Sequence, residues 1–246
     1  MNKLLLLLLI SFGLFGCSSL PVGNALTSME LEDALSSEDE TQRILALGLT
    51  HEENLIEASK LGTPHLVSVV SLKLTNARDE KIQNDFDLIE SEKLVKLVKV
   101  SNNGLIITGS EVSESKKTGV LQTDYDLQSY YLKGTKDSSM GNISHKLHLS
   151  VVHNSKNKRE YYSAVLCDDW GRCEGDELQL TAVSAIASNC TTSSCDFKEV
   201  MELVLTEDFL SGNVNEGFTM RLISKKKSHK IEVSAPYLMS YLSLAN

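Results

Sequence analysis

The hydrophobic pattern changes character three times along this chain. Leu4 through Phe15 is an almost unbroken apolar run of twelve residues behind a single Lys3. A helix needs about 20 apolar residues to span a bilayer, so the run is too short for a permanent span and fits an export signal. From residue 27 to 62 the punctuation is helical. Thr27 before Glu30, Ser37 before Glu40 and Thr50 before Glu53 each set a hydroxyl three residues ahead of a glutamate. That spacing is the capping box, in which the two side chains satisfy the orphan N–H groups of a helix start. Gly48, and Gly62 followed by Pro64, supply matching stops. Three short helices are predicted, with Ile44, Leu45, Leu47, Leu55, Ile56 and Leu61 on a shared apolar face.

Beyond residue 62 the pattern reads as strand. His65–Leu74 is rich in Val and Leu, and Lys93–Val100 alternates Lys with apolar residues. Ser101-Asn102-Asn103-Gly104 is a hairpin turn that returns through Leu105–Thr108. Ile143–Val152 sets Ile143, Leu147, Leu149 and Val151 on one face, and His153–Asn157 turns into Glu160–Leu166. Glu177–Ser188, Phe197–Thr206, and the pair around Phe218, Met220, Leu222 and Ile231, Val233 complete the strands. Pro236 opens a short C-terminal helix, Tyr237–Leu244. Ala77–Ser91 and Ser110–Asp137 carry no clear period, and Ser110–Thr118 reads as an exposed loop. Hairpins without a β-α-β rhythm predict a mostly-β α+β fold: an antiparallel sheet or sandwich preceded by short helices.

Composition narrows the function. With 24 Lys+Arg against 33 Asp+Glu the formal charge is −9, which argues against a nucleic-acid binder. The 41% hydrophobic content is that of a globular chain.

The residues after the apolar run are more specific. Leu14-Phe15-Gly16-Cys17 resembles the lipobox of bacterial lipoproteins, over residues 1–19. The resemblance implies cleavage after Gly16, lipidation of the Cys17 thiol and acylation of the new amine. Ser18, rather than Asp, after the cysteine implies forwarding to the outer membrane. One acyl chain binds a membrane only marginally, at roughly 0.8 kcal/mol per buried methylene, whereas two or three hold firmly. The expected organisation is a signal peptide at 1–16, a tether at 17–26, short helices at 27–62 and an antiparallel β domain at 63–246.

Four further cysteines, Cys167, Cys173, Cys190 and Cys195, read as two disulfides in an exported domain. Chain order favours Cys167–Cys173 and Cys190–Cys195. The strand between the pairs would hold its ends roughly 35–40 Å apart, against the about 7 Å that a disulfide tolerates. Zinc frameworks prefer C-x2-4-C spacing, which fits less well.

Candidate chemistry is sparse. His145 and His148 lie on opposite faces of a strand, and His145 and His153 share a face eight residues apart, too far for one metal. Ser113, Ser155 and Ser224 each precede a Lys by three residues, and Lys117-Thr118-Gly119 follows the first. All fall in predicted loops or turns and do not assemble a penicillin-binding site. Tyr125, Tyr130 and Tyr131, with Asp124 and Asp126, either line a ligand face or pack on a sheet. The loop 167–176 holds the only Trp, Trp170, between two cysteines and among Asp168, Asp169, Glu174 and Asp176. A rigid exposed Trp is a good anchor for a sugar ring or a protein partner. The carboxylates lack the D-x-D-x-D-G spacing of a calcium loop. No catalytic residue, metal or cofactor is assigned. The expectation is a membrane-anchored envelope lipoprotein that binds a protein or glycan partner through Trp170, Asp168, Asp169 and Asp176. The alternatives are an envelope-polymer hydrolase using these carboxylates and an inhibitor or immunity-type lipoprotein.

Overall fold

The computed structural model describes residues 28–117, 125–139, 141–168, 170–225 and 227–245. The signal segment, Gly16, Cys17, the tether, Thr118, Asp124 and Asp169 lie outside the described residues. The elements in chain order are α1 (Ser28–Leu45), α2 (His51–Ala58), α3 (Pro64–Val95), β1 (Lys99–Ser101), β2 (Ile106–Thr108), β3 (Val112–Lys117) and β4 (Tyr125–Lys136). They continue with β5 (Ile143–Ser155), β6 (Tyr161–Cys167), β7 (Leu178–Gln179), β8 (Thr181–Ser188), β9 (Cys195–Leu205), α4 (Glu207–Gly212), β10 (Phe218–Ser224), β11 (Ser228–Val233) and α5 (Ala235–Ala245). The fold is α+β and mostly β, and it divides into two compact units at Glu80/Lys81. No helix among the described residues is long and apolar enough to cross a membrane.

The first unit is helical. Thr50 and Glu53 form the reciprocal capping box at the start of α2. Ser37, by contrast, starts nothing: α1 runs through it, and the Thr41 hydroxyl donates to its carbonyl at 2.7 Å. The stretch 65–74 is helix, not strand. Thr63 caps it by accepting from the Leu66 N–H at 3.1 Å, and Pro64 takes the first helical position, where its missing N–H costs nothing. Leu66, Val70 and Leu74 then recur every four residues and close on Ile44 of α1 and Ala58 of α2. The apolar run fitted both periods, and packing against two helices decided between them. Because α3 runs on to Val95, it absorbs Ala77–Ser91 and the first part of Lys93–Val100. The β region therefore begins at Lys99, not at residue 63.

The second unit holds two antiparallel sheets. The larger has the order β1-β2-β4-β5-β9-β8, with β3 beside the first half of β4; the smaller has the order β11-β10-β6-β7. The β1–β2 hairpin turns through Asn102 and Asn103 at positive φ, the conformation its turn chemistry demands. Residues 112–117 are strand rather than loop. VSESKK lacks an apolar alternation because β3 has no strand on its far side among the described residues, and charge protects an edge. The connection 156–160 is not a hairpin: β5 pairs β4 and β9, whereas β6 lies in the other sheet. The stretch 178–188 also changes sheet, with β7 on β6, β8 on β9 and buried Leu180 at the crossing.

The inner faces meet in one core of Leu132, Leu147, Leu149, Met201, Leu203, Met220, Leu222, Ile231 and Val233, closed at one end by α5. The Tyr237 hydroxyl accepts from the Leu132 N–H at 2.8 Å, in the gap of the β4 edge between the partners β2 and β3. Tyr241 Oη lies 2.9 Å from His145 Nδ1. Gly109 and Gly134 make room for these rings, since a Cβ would lie 2.4 Å from Tyr237 Oη and 2.6 Å from Tyr241 Oη respectively.

Candidate functional site

At the other end of β4 and β5 the inner stripe turns polar. Alternation carries β4 inward through Leu132 and Tyr130 to Gln128 and Asp126, and β5 through Leu149 and Val151 to His153. Arg159 enters this end from the connection between sheets. Its guanidinium forks onto Asp126, Nη1 to Oδ2 at 2.7 Å and Nη2 to Oδ1 at 3.0 Å, with both side chains buried. Burial opposes the Arg159 charge, but the bonds and charge of Asp126 with the Tyr161 hydroxyl outweigh it, and the guanidinium pKa stands above its usual value.

The same Nη1 lies 2.8 Å from His229 Nε2, and His229 Nδ1 lies 2.5 Å from the Gln128 amide. An Arg only donates, so Nε2 accepts and a neutral ring carries its proton on Nδ1. The amide atom placed against Nδ1 is Gln128 Nε2, while Oε1 is buried without a partner, so this tautomer requires the amide to be flipped, with its oxygen accepting from Nδ1. His229 stands on β11 and Gln128 on β4, so this chain of bonds ties the two sheets together.

Glu199 of β9 completes the cluster. Its carboxylate accepts from His153 Nε2 at 2.8 Å, from the Arg159 N–H at 2.6 Å and from the Glu160 N–H at 2.9 Å. The last two bonds hold Glu160 at φ +59°, a conformation costing a non-glycine residue about 1 kcal/mol or more. Burial lowers the pKa of His153, and the bond to Glu199 only partly offsets it. Burial also pushes the Tyr161 hydroxyl up to about 12. Both oxygens of Asp126 and both of Glu199 are committed to partners within the cluster. It is built as a clasp rather than as a free acid or base. Beside it, a groove of about 360 Å³ is lined by Lys158, Glu160, Tyr161, Ala182, Ala185 and Met201.

The remaining histidines of β5 diverge. His145 faces α5, whereas His148 faces outward, stacked on Tyr131 at 4.6 Å and 3.3 Å from Glu202. Among the described residues no group of three or more His, Cys, Asp or Glu is placed to hold a metal. Tyr130 and Tyr131 do not share a face: Tyr130 is buried with its hydroxyl donating to the Glu232 carbonyl at 2.7 Å, and Tyr131 is on the outer side.

The tryptophan loop lies between β6 and β7. The disulfide Cys167–Cys173 closes it, and Cys190–Cys195 closes the β8–β9 hairpin. Asp168 accepts from Arg172 twice, from the backbone N–H and from Nε, each at 2.8 Å. Although its burial is slight, these bonds hold its pKa below the usual carboxylate range against that desolvation. Lys230 of β11 donates to the Gly171 carbonyl at 2.8 Å. On this braced tip Trp170 is 85% exposed, and Asp176 is exposed further along. Asp168 is thus spent on bracing the turn and is not free for catalysis.

Comparison with family models, with curated proteins and with solved structures finds no match to this chain. The sequence reading missed the polar clasp entirely. Its members are spread from Asp126 to His229, and no local spacing joins them. The one available signal was Asp126 and Gln128 at alternating positions that continue the buried stripe of Tyr130 and Leu132.

Proposed function

We propose that this chain is a lipid-anchored bacterial envelope protein that binds a protein or glycan partner through the Trp170 loop. The anchor is Cys17, and Ser18 favours the outer membrane as its destination. The observation that carries the binding role is Trp170 itself. A side chain of that size, 85% exposed, contributes little to folding where it stands. Its loop is nevertheless fixed by a disulfide, by the Asp168–Arg172 bonds and by Lys230. Fixing an exposed aromatic before contact lowers the ordering cost of binding, which suits an anchor residue. The buried clasp supports the reading from below, because Asp126, Arg159 and His229 lock the larger sheet to the smaller one, which carries β6 and β11.

The test is capture of partners from envelope extracts by the full chain and by Trp170→Ala. Loss of the captured species with an unchanged fold supports the assignment. Equal capture by both chains defeats it.

A further inference from the structure

The outer edge of the larger sheet is β8, with no strand beyond it among the described residues. All eight of its residues, Thr181 to Ser188, are exposed, and none carries a charge in a chain of net −9. Val183 is 53% and Ile186 60% exposed. An exposed, uncharged edge is a template for another strand, the arrangement that charge normally guards against. The register of β8 on β9 shifts once, between Ala182 and Ser184, so Val183 is the extra residue of a bulge. Downstream of it, Ser184 to Ser188 run in regular register against Val200 to Asp196.

Those five residues read Ser-Ala-Ile-Ala-Ser, a palindrome centred on Ile186. An antiparallel strand sees its neighbour in reverse order, so a palindromic strand presents a copy of itself with matching side chains. Parity sharpens the point. Side chains alternate faces with period two, and residues directly opposite each other must share a face. Ala185 and Ala187 pair with inward-facing Glu199 and Phe197, and Ile186 pairs with outward-facing Lys198. A two-fold axis must therefore pass at a residue, not between two.

We propose that two copies of this chain join through their β8 edges, antiparallel, with Ile186 opposite Ile186. Ser184 then faces Ser188 of the second copy, and Ala185 faces its Ala187. Two Ile side chains that each lie largely in water cover one another, and the hydroxyls pair across the strands. The charges nearest along that row, Lys198 of each copy, stay three strand spacings apart, about 14 Å, beyond the screening length of about 8 Å. The Cys190–Cys195 disulfide and the Asn189–Asp196 bond at 2.9 Å secure the end of the hairpin and keep the edge in place before contact. The inference is independent of both the lipid anchor and the Trp170 loop.

Cysteine crosslinking of the purified full chain tests the pairing and its register together. Opposed residues of an antiparallel pair have Cα atoms about 4.5–5.5 Å apart, within disulfide range. Under mild oxidation Ile186→Cys is expected to form a dimer, in excess of the parent chain and of Val204→Cys, an exposed position on β9. Ser184→Cys alone should not form a disulfide-linked dimer, whereas Ser184→Cys mixed with Ser188→Cys should. Sedimentation of the full chain should show the parent as a dimer and Ile186→Lys as a folded monomer. The proposal is overturned if Ile186→Cys crosslinks no more than Val204→Cys, if Ser184→Cys links to itself as readily, or if the parent sediments as a monomer.

Discussion

Asp126→Asn removes the countercharge from a guanidinium that has almost no access to water. Arg159 and Asp126 are both about nine-tenths or more buried, and they meet through two bonds at 2.7 and 3.0 Å. A neutral amide of the same shape keeps the volume and loses the charge. Breaking a buried pair in this way costs roughly 3–5 kcal/mol, because the remaining ion cannot recover its hydration. Domains of this size are stable by about 5–15 kcal/mol, so the loss is a large fraction of the total. The assay is urea unfolding followed by far-UV circular dichroism in the β band, since Trp170 is too exposed to report the core. The midpoint should fall steeply with little change in slope. Replacing both partners, Asp126→Leu with Arg159→Met, should recover much of the loss, because neither ion of the pair is then left buried without the other. A cost of Asp126→Asn below about 1 kcal/mol, the value of a surface pair, would refute the clasp.

Further expectations follow from the same contacts. Burial lowers the pKa of His145, His148 and His153, so the unfolded chain binds more protons than the folded one at mildly acid pH. Stability should therefore be full above the unfolded value near about 6.5 and decline as pH falls through it, and His153→Gln should flatten that decline in urea titrations at several pH values. Gly134→Ala places a methyl 2.6 Å from Tyr241 Oη and should cost about 1–3 kcal/mol in thermal unfolding, with Tyr241→Phe on the same chain restoring part of it. Trp170→Ala should leave the unfolding free energy within about 0.5 kcal/mol of the parent, as exposed positions do, so that any loss of capture reads binding alone.

The legible parts of the fold were those fixed by local chemistry. Asn102-Asn103-Gly104 announces its hairpin because few residues accept positive φ, and Thr50 with Glu53 announces α2 because two side chains satisfy two backbone donors. The stretch 65–74 was illegible because Val and Leu at most positions satisfy either period; only Ile44 and Ala58, distant in sequence, select the helix. Charged β3 hid because an edge strand need not alternate. The Trp170 loop stood out through its flanking cysteines, whereas the clasp of Asp126, Gln128, His153, Arg159, Glu199 and His229 is assembled by strand register across a hundred residues. Polar residues met singly along a sequence read as solvated surface.

The proposed membrane anchor depends on Cys17. Intact-mass and N-terminal peptide mass spectrometry of the protein purified from its native membranes addresses it directly. A chain beginning at Cys17 and carrying diacylglycerol and an amide-linked acyl group is the expected species. A free thiol at Cys17, or a chain still carrying Met1–Gly16, would contradict the anchored reading.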